Sequence, residues 1–383
     1  MLDVAGFHRG GMPALFLALL AASTVPAPVA ARPARMIAVE IGGYMEQSVG
    51  LALNQPGVRV SRQTGAPVVV ATPNPTGQRS DSEIWFSGRG QLTDDITIGF
   101  VVQLEADSQP DRQIDESYLF LTGRPGRLVL GAENDAAYLQ HVSAPRAGAA
   151  WGVLESAATG WVYKPRYVSF LSTTAPTTAG DDRKVTYFTP RMAGMQLGLS
   201  LTPAESETGR DVADRARERT NTGTLSATGR WGWGETRLSL SAGWVRGGAA
   251  LRATTAERRA PIDDAALGAE LRHRGLSIGA GYRRLVNPGG AQHGRAMALG
   301  LAWEDGAIAA GVGVLRSETA GTQTSPGADL GDLAMLSGSY RLGPGVHLTG
   351  ALFAARFSNG RSPYGAEDRN QGFGAVSGMR LSF

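Results

Sequence analysis

From Ile37 onward, apolar and polar residues alternate with period two in stretches of about ten residues, as strands with one apolar face do. In "EIWFSGRGQL", Ile84, Phe86 and Leu92 fall on one face and Glu83, Ser87, Arg89 and Gln91 on the other. The next stretch, "ITIGFVVQLE", sets Ile96, Ile98, Phe100, Val102 and Leu104 against Thr97, Gly99, Gln103 and Glu105. Leu238, Leu240 and Trp244 oppose Arg237, Ser239 and Ser241, and Leu276, Ile278 and Tyr282 oppose Ser277, Gly279 and Arg283. Met297, Leu299, Leu301 and Trp303 stand against Ala296, Ala298 and Gly300.

The connections between these stretches alternate short and long. Short ones are "TDD" near Asp94, "RPG" near Pro125, "RMAG" near Ala193, "WGWGE" near Gly232, "HRG" near Arg274, "EDG" near Asp305 and "GPG" near Pro344. Long ones, rich in Pro, Gly and charge, are expected around residues 52–81, 107–112, 134–182, 203–220, 247–263, 286–294, 317–330 and 357–370. Counting between them gives about sixteen strands, an even number, each near the length of a tilted membrane strand. Both ends of the mature chain then lie on the short-turn side.

Arginine placement separates a lipid-facing barrel from a soluble sandwich. Arg on the lipid face at the bilayer midplane costs roughly 2–4 kcal/mol, so strand arginines belong opposite the apolar stripe. Arg89, Arg230, Arg237, Arg272, Arg283, Arg341 and Arg380 all sit there, while Trp231, Trp244, Tyr282, Trp303 and Tyr340 lie near strand ends in phase with the apolar face. A soluble sandwich would show the same alternation, but its connections would not sort into one short side and one long side. The expected fold is all-β: a transmembrane antiparallel β-barrel with short periplasmic turns and long extracellular loops, seated in outer-membrane lipid.

The ends of the chain refine this reading. His8 and Arg9, the apolar run Met12 to Ala22 and the small residues Val29 and Ala31 form a signal-peptide pattern, too short to span a membrane as a helix. Residues 1–31 are therefore expected to be a cleaved signal peptide, and residues 32–383 the barrel. At the other end, "VSGMRLSF" keeps its alternation through Phe383, as a closing strand that pairs with the first one must. Gly is abundant, with 52 of 383 residues, which suits strands whose second face is tiny or polar. Cys is absent, which removes the disulfide-stapled secreted class. A net charge of +3 without a basic, aromatic-interleaved stripe gives no nucleic-acid partner.

The run "RQIDESYLFLTGRPGRLVLGAENDAAYLQHVSAP", Arg112 to Pro145, resembles the general diffusion porins of Gram-negative bacteria, especially those of alphaproteobacteria. "IGGYMEQSVG", "DSEIWFSG" and "KVTYFTPRMAGMQLGLSLTP" resemble their first strands and their sixth-to-seventh hairpin. The resemblance implies a sixteen-stranded barrel, a homotrimer, and a third long loop folded into the lumen to set the pore size. A terminal Phe, here Phe383, resembles the signal read by the outer-membrane assembly machinery. The longest connection, Asn134 to Asp182, is the candidate constriction loop, and its Trp151, Trp161, Tyr163, Tyr167 and Phe170 are what a packed segment carries.

A polar pore selects by width and fixed charge. Glu133, Asp135, Glu155 and Arg166 lie on or beside the candidate loop, while Glu46 and Arg89 point to the lumen by strand phase; these six are the constriction candidates. Acids on the loop facing arginines on the wall would set up a transverse field. Arg127 and Arg380 are expected at the short-turn rim, too low to gate. No catalytic set emerges: of the five His, only His141 lies in the candidate loop, without a Ser or Asp partner at a known spacing. No metal-ligand spacing appears either, and no cofactor is expected. The resulting expectation is a passive channel for small hydrophilic solutes and ions. A substrate-specific channel and a plugged structural or adhesive barrel are the alternatives.

Overall fold

A computed structural model describes residues 37–54, 58–60, 67–69, 73–106, 113–154, 160–165, 168–204, 220–248, 261–287, 293–322, 325–360 and 369–383. The expected signal segment lies outside the described residues, as do parts of most long connections. In chain order the strands are β1 (Ala38–Asn54), β2 (Val58–Val60), β3 (Pro67–Val69), β4 (Thr76–Thr93), β5 (Ile96–Glu105) and β6 (Ile114–Gly123). Next come β7 (Gly126–Ala132), β8 (Arg183–Phe188), β9 (Met195–Ala204), β10 (Thr220–Trp233), β11 (Thr236–Gly247) and β12 (Ile262–His273). The last are β13 (Leu276–Val286), β14 (Gly294–Asp305), β15 (Ile308–Thr322), β16 (Ser325–Gly343), β17 (Val346–Ser358) and β18 (Arg369–Ser382). A short helix, α1 (Ala136–Leu139), follows β7.

Sixteen of the strands close into one antiparallel barrel, each pairing with its chain neighbour and β1 pairing with β18; β2 and β3 form a separate hairpin. The seam runs from Tyr44 opposite Ser382 to Asn54 opposite Gly372, and Gly43 exchanges backbone hydrogen bonds with Phe383 at 3.0 and 3.1 Å. No barrel edge is left unpaired, which a strand in hydrocarbon requires. Two-residue turns join β4 to β5, β6 to β7, β10 to β11, β12 to β13, β14 to β15 and β16 to β17 on one side. Left-handed Gly275 (φ 82°) and Gly345 (φ 72°) sit in two of them, where a Cβ would meet the Glu304 and Ser382 carbonyl oxygens.

The expected strand phase holds on the outer face. Leu240, Ile278, Leu299, Leu301, Phe373 and Leu381 are exposed, while Ser239, Ser241, Ser277, Ala296 and Ala298 are buried. One long connection differs from expectation. Residues 317–330 do not form an open loop: β15 continues to Thr322 and β16 begins at Ser325, with a register shift between Thr319 and Gly321. Beyond the shift, Gly321 stands opposite Pro326 and Thr322 opposite Ser325.

The inner face is not uniformly polar. Leu285, Leu315, Leu333, Met335, Phe353 and Phe357 point inward from β13–β17 and are buried beneath Val153, Val162, Val168, Phe170 and Leu171 of the segment after β7. Phe170 meets Phe357 edge-on, with ring centroids 5.4 Å apart. A barrel has no core of its own beyond its wall, so this apolar patch is the core that fastens the segment inside; each large side chain contributes roughly 1.5–3 kcal/mol on burial.

Candidate functional site: the lumen and its inward loop

The segment between β7 and β8 enters the barrel and follows the wall. It starts at α1, where Asp135 accepts from the Ala137 and Tyr138 amides at 2.8 and 2.9 Å and from Thr224 Oγ1 at 3.1 Å. The wall then offers hydroxyls and carboxylates to successive loop amides. Ser241 accepts from Val142 at 2.9 Å, Glu304 from Gly148 at 3.0 Å, Ser317 from Leu171 at 2.9 Å and Asp329 from Ser169 at 2.6 Å. Trp151 donates to Glu46 on β1, and Asn370 on β18 donates to the Tyr163 carbonyl at 2.8 Å. The Lys184 ammonium binds both ends, through the carbonyls of Glu133, Gly180 and Asp182.

Inward glycines make this approach possible. A Cβ on Gly268 would lie 1.6 Å from the Val142 oxygen, one on Gly279 2.4 Å from the Ser143 oxygen, and one on Gly331 2.2 Å from the Phe170 ring. Gly50 and Gly77 lie against Trp161 in the same way. The high Gly content therefore has a definite use: a bare wall against which a chain can lie.

Two buried clusters hold the return limb. Arg283 and Asp264, 2% and 0% exposed, form a two-pronged ion pair at 2.9 and 2.7 Å. Arg283 also donates to Thr177 Oγ1 at 3.0 Å, and Asp264 accepts from Thr178 Oγ1 at 2.8 Å. Beside them His141 Nε2 lies 3.0 Å from Thr174 Oγ1, which is 2.7 Å from Ser143 Oγ. Burial, then the Arg283 charge, pushes the His141 imidazole down to about 4.

The lumen wall carries an acidic group beside the loop. On β1 and β4, the Tyr44 hydroxyl stands 2.9 Å from both Asp81 and Glu83, and Gln103 donates to Glu83 at 2.8 Å. Arg380 reaches Glu46 at 3.3 Å with its guanidinium 3.8 Å over the Tyr44 ring. Nearby, Asn134 donates to both Glu133 and Glu116, at 2.9 and 3.4 Å, which holds the two carboxyls side by side. Half-way round the barrel, near the short turns, Arg237 and Arg272 are cross-strand partners on β11 and β12, Arg272 pairs with Glu270 at 3.4 Å, and Arg230 on β10 faces Ser239.

The expected site residues separate on this map. Glu46 is in the acidic group and touches the loop. Glu133 closes the loop base beside Glu116. Asp135 is 1% exposed and works as a helix cap, so it does not face open water. Arg89 pairs in register with Ala38, the first residue of β1, four residues before β4 ends, well below Asp81 and Glu83. Glu155 and Arg166 lie outside the described residues. Arg380, expected at the rim, is two residues from the end of β18 yet joins the loop through Glu46 and Trp151. Asp81, Glu83 and Glu116 went unnoticed as a group, because only register brings β1, β4 and β6 into one patch.

A closed sixteen-stranded barrel with an apolar exterior, a charged lumen and an internal loop defines an outer-membrane channel. The sequence profile described as Gram-negative porin matches residues 17–360, and the chain belongs to that family. It is an outer-membrane porin, a channel for general diffusion, and carries out no enzymatic reaction. No curated protein matches it significantly in sequence. Among solved structures it is similar to the anion-selective porin from Comamonas acidovorans (TM-score 0.57, 14% identity, 91% of this chain and 100% of that one). It is also similar to a mutant of the Rh. blastica porin (TM-score 0.52, 14% identity, 90% and 100%). The trimer form of OmpT from Vibrio cholerae aligns with TM-score 0.52, 11% identity, 90% and 100%.

Proposed function

We propose that the chain is a general diffusion porin of the alphaproteobacterial type, exported with residues 1–31 as a signal, that works as a homotrimer with residues 134–182 as its constriction loop. The type rests on the run Arg112 to Pro145. The trimer rests on the family and on OmpT, whose trimer form shares the fold. Delivery through the outer-membrane assembly machinery rests on Phe383. The observation that carries the pore reading is the acidic wall, in which Asp81 and Glu83 on β4 and Glu116 on β6 gather beside Glu46 on β1. Hydrated ions and polar solutes keep their hydration in such a charged, water-filled lumen, which offers apolar solutes no favourable surface. With residues 134–182 as the constriction, the acids beside that loop give the channel a preference for cations.

Reversal potentials across a salt gradient in a planar bilayer test this. Wild-type protein should pass cations over anions, and Glu83→Gln with Glu116→Gln should move the reversal potential toward zero. Glu155→Gln and Arg166→Gln report in the same assay whether those residues also line the pore. Unchanged selectivity in the Glu83 and Glu116 variants would remove the acidic wall from the account.

A further inference from the structure

Arginines are expensive on a lipid-facing surface, yet five of them face outward on β11–β17: Arg246, Arg284, Arg295, Arg316 and Arg356. All lie in the half of their strand nearer the long loops, the side of the outer leaflet when those loops are extracellular. Three have carboxylate partners on the same face: Asp263 at 3.0 Å from Arg246, Glu318 at 2.8 Å from Arg295 and Asp332 at 3.5 Å from Arg316. Five cations against three anions leave the band with a surplus of two positive charges.

The register around Arg316 and Arg356 is more specific. One row across the strands reads Met297, Arg316, Asp332, Arg356, Gln371. The row beneath it, two residues toward the short turns, reads Leu299, Val314, Ala334, Ala354, Phe373, Leu53. Two alanines between large apolar neighbours leave a groove of about 780 Å³ in the outer wall. Its sides, Leu53, Leu299, Val314 and Phe373, are 46–62% exposed. Above it Asp332 pairs with Arg316 at 3.5 Å, and Arg356 is the register partner of Asp332 on the other side, so two guanidiniums stand over the groove against one carboxylate and one positive charge is in surplus.

We propose that this groove seats an outer-leaflet lipid, with an acyl chain in the alanine-floored dip and an anionic phosphorylated headgroup on Arg316 and Arg356. The two rows match such a molecule end for end: apolar chain below, anion above. Guanidinium N–H groups bind phosphate oxygens in pairs, and an acyl chain adapts to a dip that the flat wall of another barrel would leave empty. The Asp332 carboxylate holds the Arg316 guanidinium at the mouth of the groove, and register places Arg356 beside it.

The test begins with porin extracted from its own outer membrane in mild detergent, with retained lipid identified and counted by native mass spectrometry. Wild-type protein should keep a phosphorylated, acylated lipid. Arg316→Gln and Arg356→Gln should lower retention about fivefold for each guanidinium removed. Ala354→Phe, which fills the dip with the charges intact, should lower it as well. Conductance should stay at the wild-type value in all three, since these side chains face away from the lumen. For delipidated wild-type protein, phosphorylated and zwitterionic lipids of identical acyl chains are compared, and the phosphorylated one should be retained. Equal retention of the two lipids, equal retention by all variants, or wild-type protein free of phosphorylated lipid would each overturn the proposal. High-yield disulfide cross-linking between copies through Ala354→Cys in intact membranes would also overturn it, by placing a second copy on this face.

Discussion

Asp264 is the residue whose loss should free the inward loop. It is fully buried and accepts three hydrogen bonds, two from Arg283 and one from Thr178. Asp264→Ala leaves the Arg283 guanidinium buried without a counter-ion, a change that costs about 3–5 kcal/mol. The barrel ladder does not depend on this pair, because β12 and β13 keep their backbone register, so the cost falls on the docking of residues 174–178. A 4 kcal/mol loss shifts a docked-to-undocked ratio about a thousandfold. Removing both charges with Asp264→Ala and Arg283→Met should cost less than the sum of the single changes, since no unpaired ion remains. Single-channel recording and limited proteolysis read the loop, and heat-modifiable electrophoretic mobility reads the barrel. The single variant should show flickering conductance and cleavage within residues 134–182 while the barrel stays folded, and the double variant should be quieter. A quiet, protease-resistant Asp264→Ala channel would refute the clamp.

Further outcomes follow from the same packing. His141 is held neutral by burial, so the unfolded chain binds more protons than the folded one between about pH 4 and 6.5, and loop docking weakens as pH falls through that window, by up to about 3 kcal/mol. His141→Gln should flatten the acid-induced rise in conductance noise; noise that rises identically in both proteins would exclude the imidazole as its source. Gly268→Ala drives a methyl into the Val142 carbonyl and should change single-channel conductance with little effect on barrel mobility, whereas an unaltered channel would show that the loop does not lie on this glycine. Deleting Phe383 should reduce the amount of porin in the outer membrane more than it alters the conductance of folded pores.

Much of the barrel was legible because a membrane punishes lapses in alternation. Leu299 and Leu301 against Ala298 and Gly300 place β14 without any knowledge of its neighbours, and "VSGMRLSF" declares the seam. The glycines at 279 and 300 were readable as inward-facing, and their use followed once a loop lay over them. Other features depended on partners that period-two phasing does not see. Leu315 and Phe353 face inward because Phe170 and its neighbours cover them, so both faces of the wall are apolar there. Arg316 and Arg356 break the arginine rule at headgroup depth, where the penalty fades. Asp135 reads as a pore acid in the sequence and is a helix cap in the fold, since the Thr224 that engages it is 89 residues away. The acidic wall is a product of register among β1, β4 and β6.

The central claim is an open, water-filled passage narrowed by an internal loop, and conductance in a planar bilayer measures it most directly. The account predicts stable steps that are linear in voltage, scale with bulk salt, show a weak cation preference and do not saturate with any one solute. Electrical silence from correctly folded protein, or a current that saturates with a single solute, would contradict it.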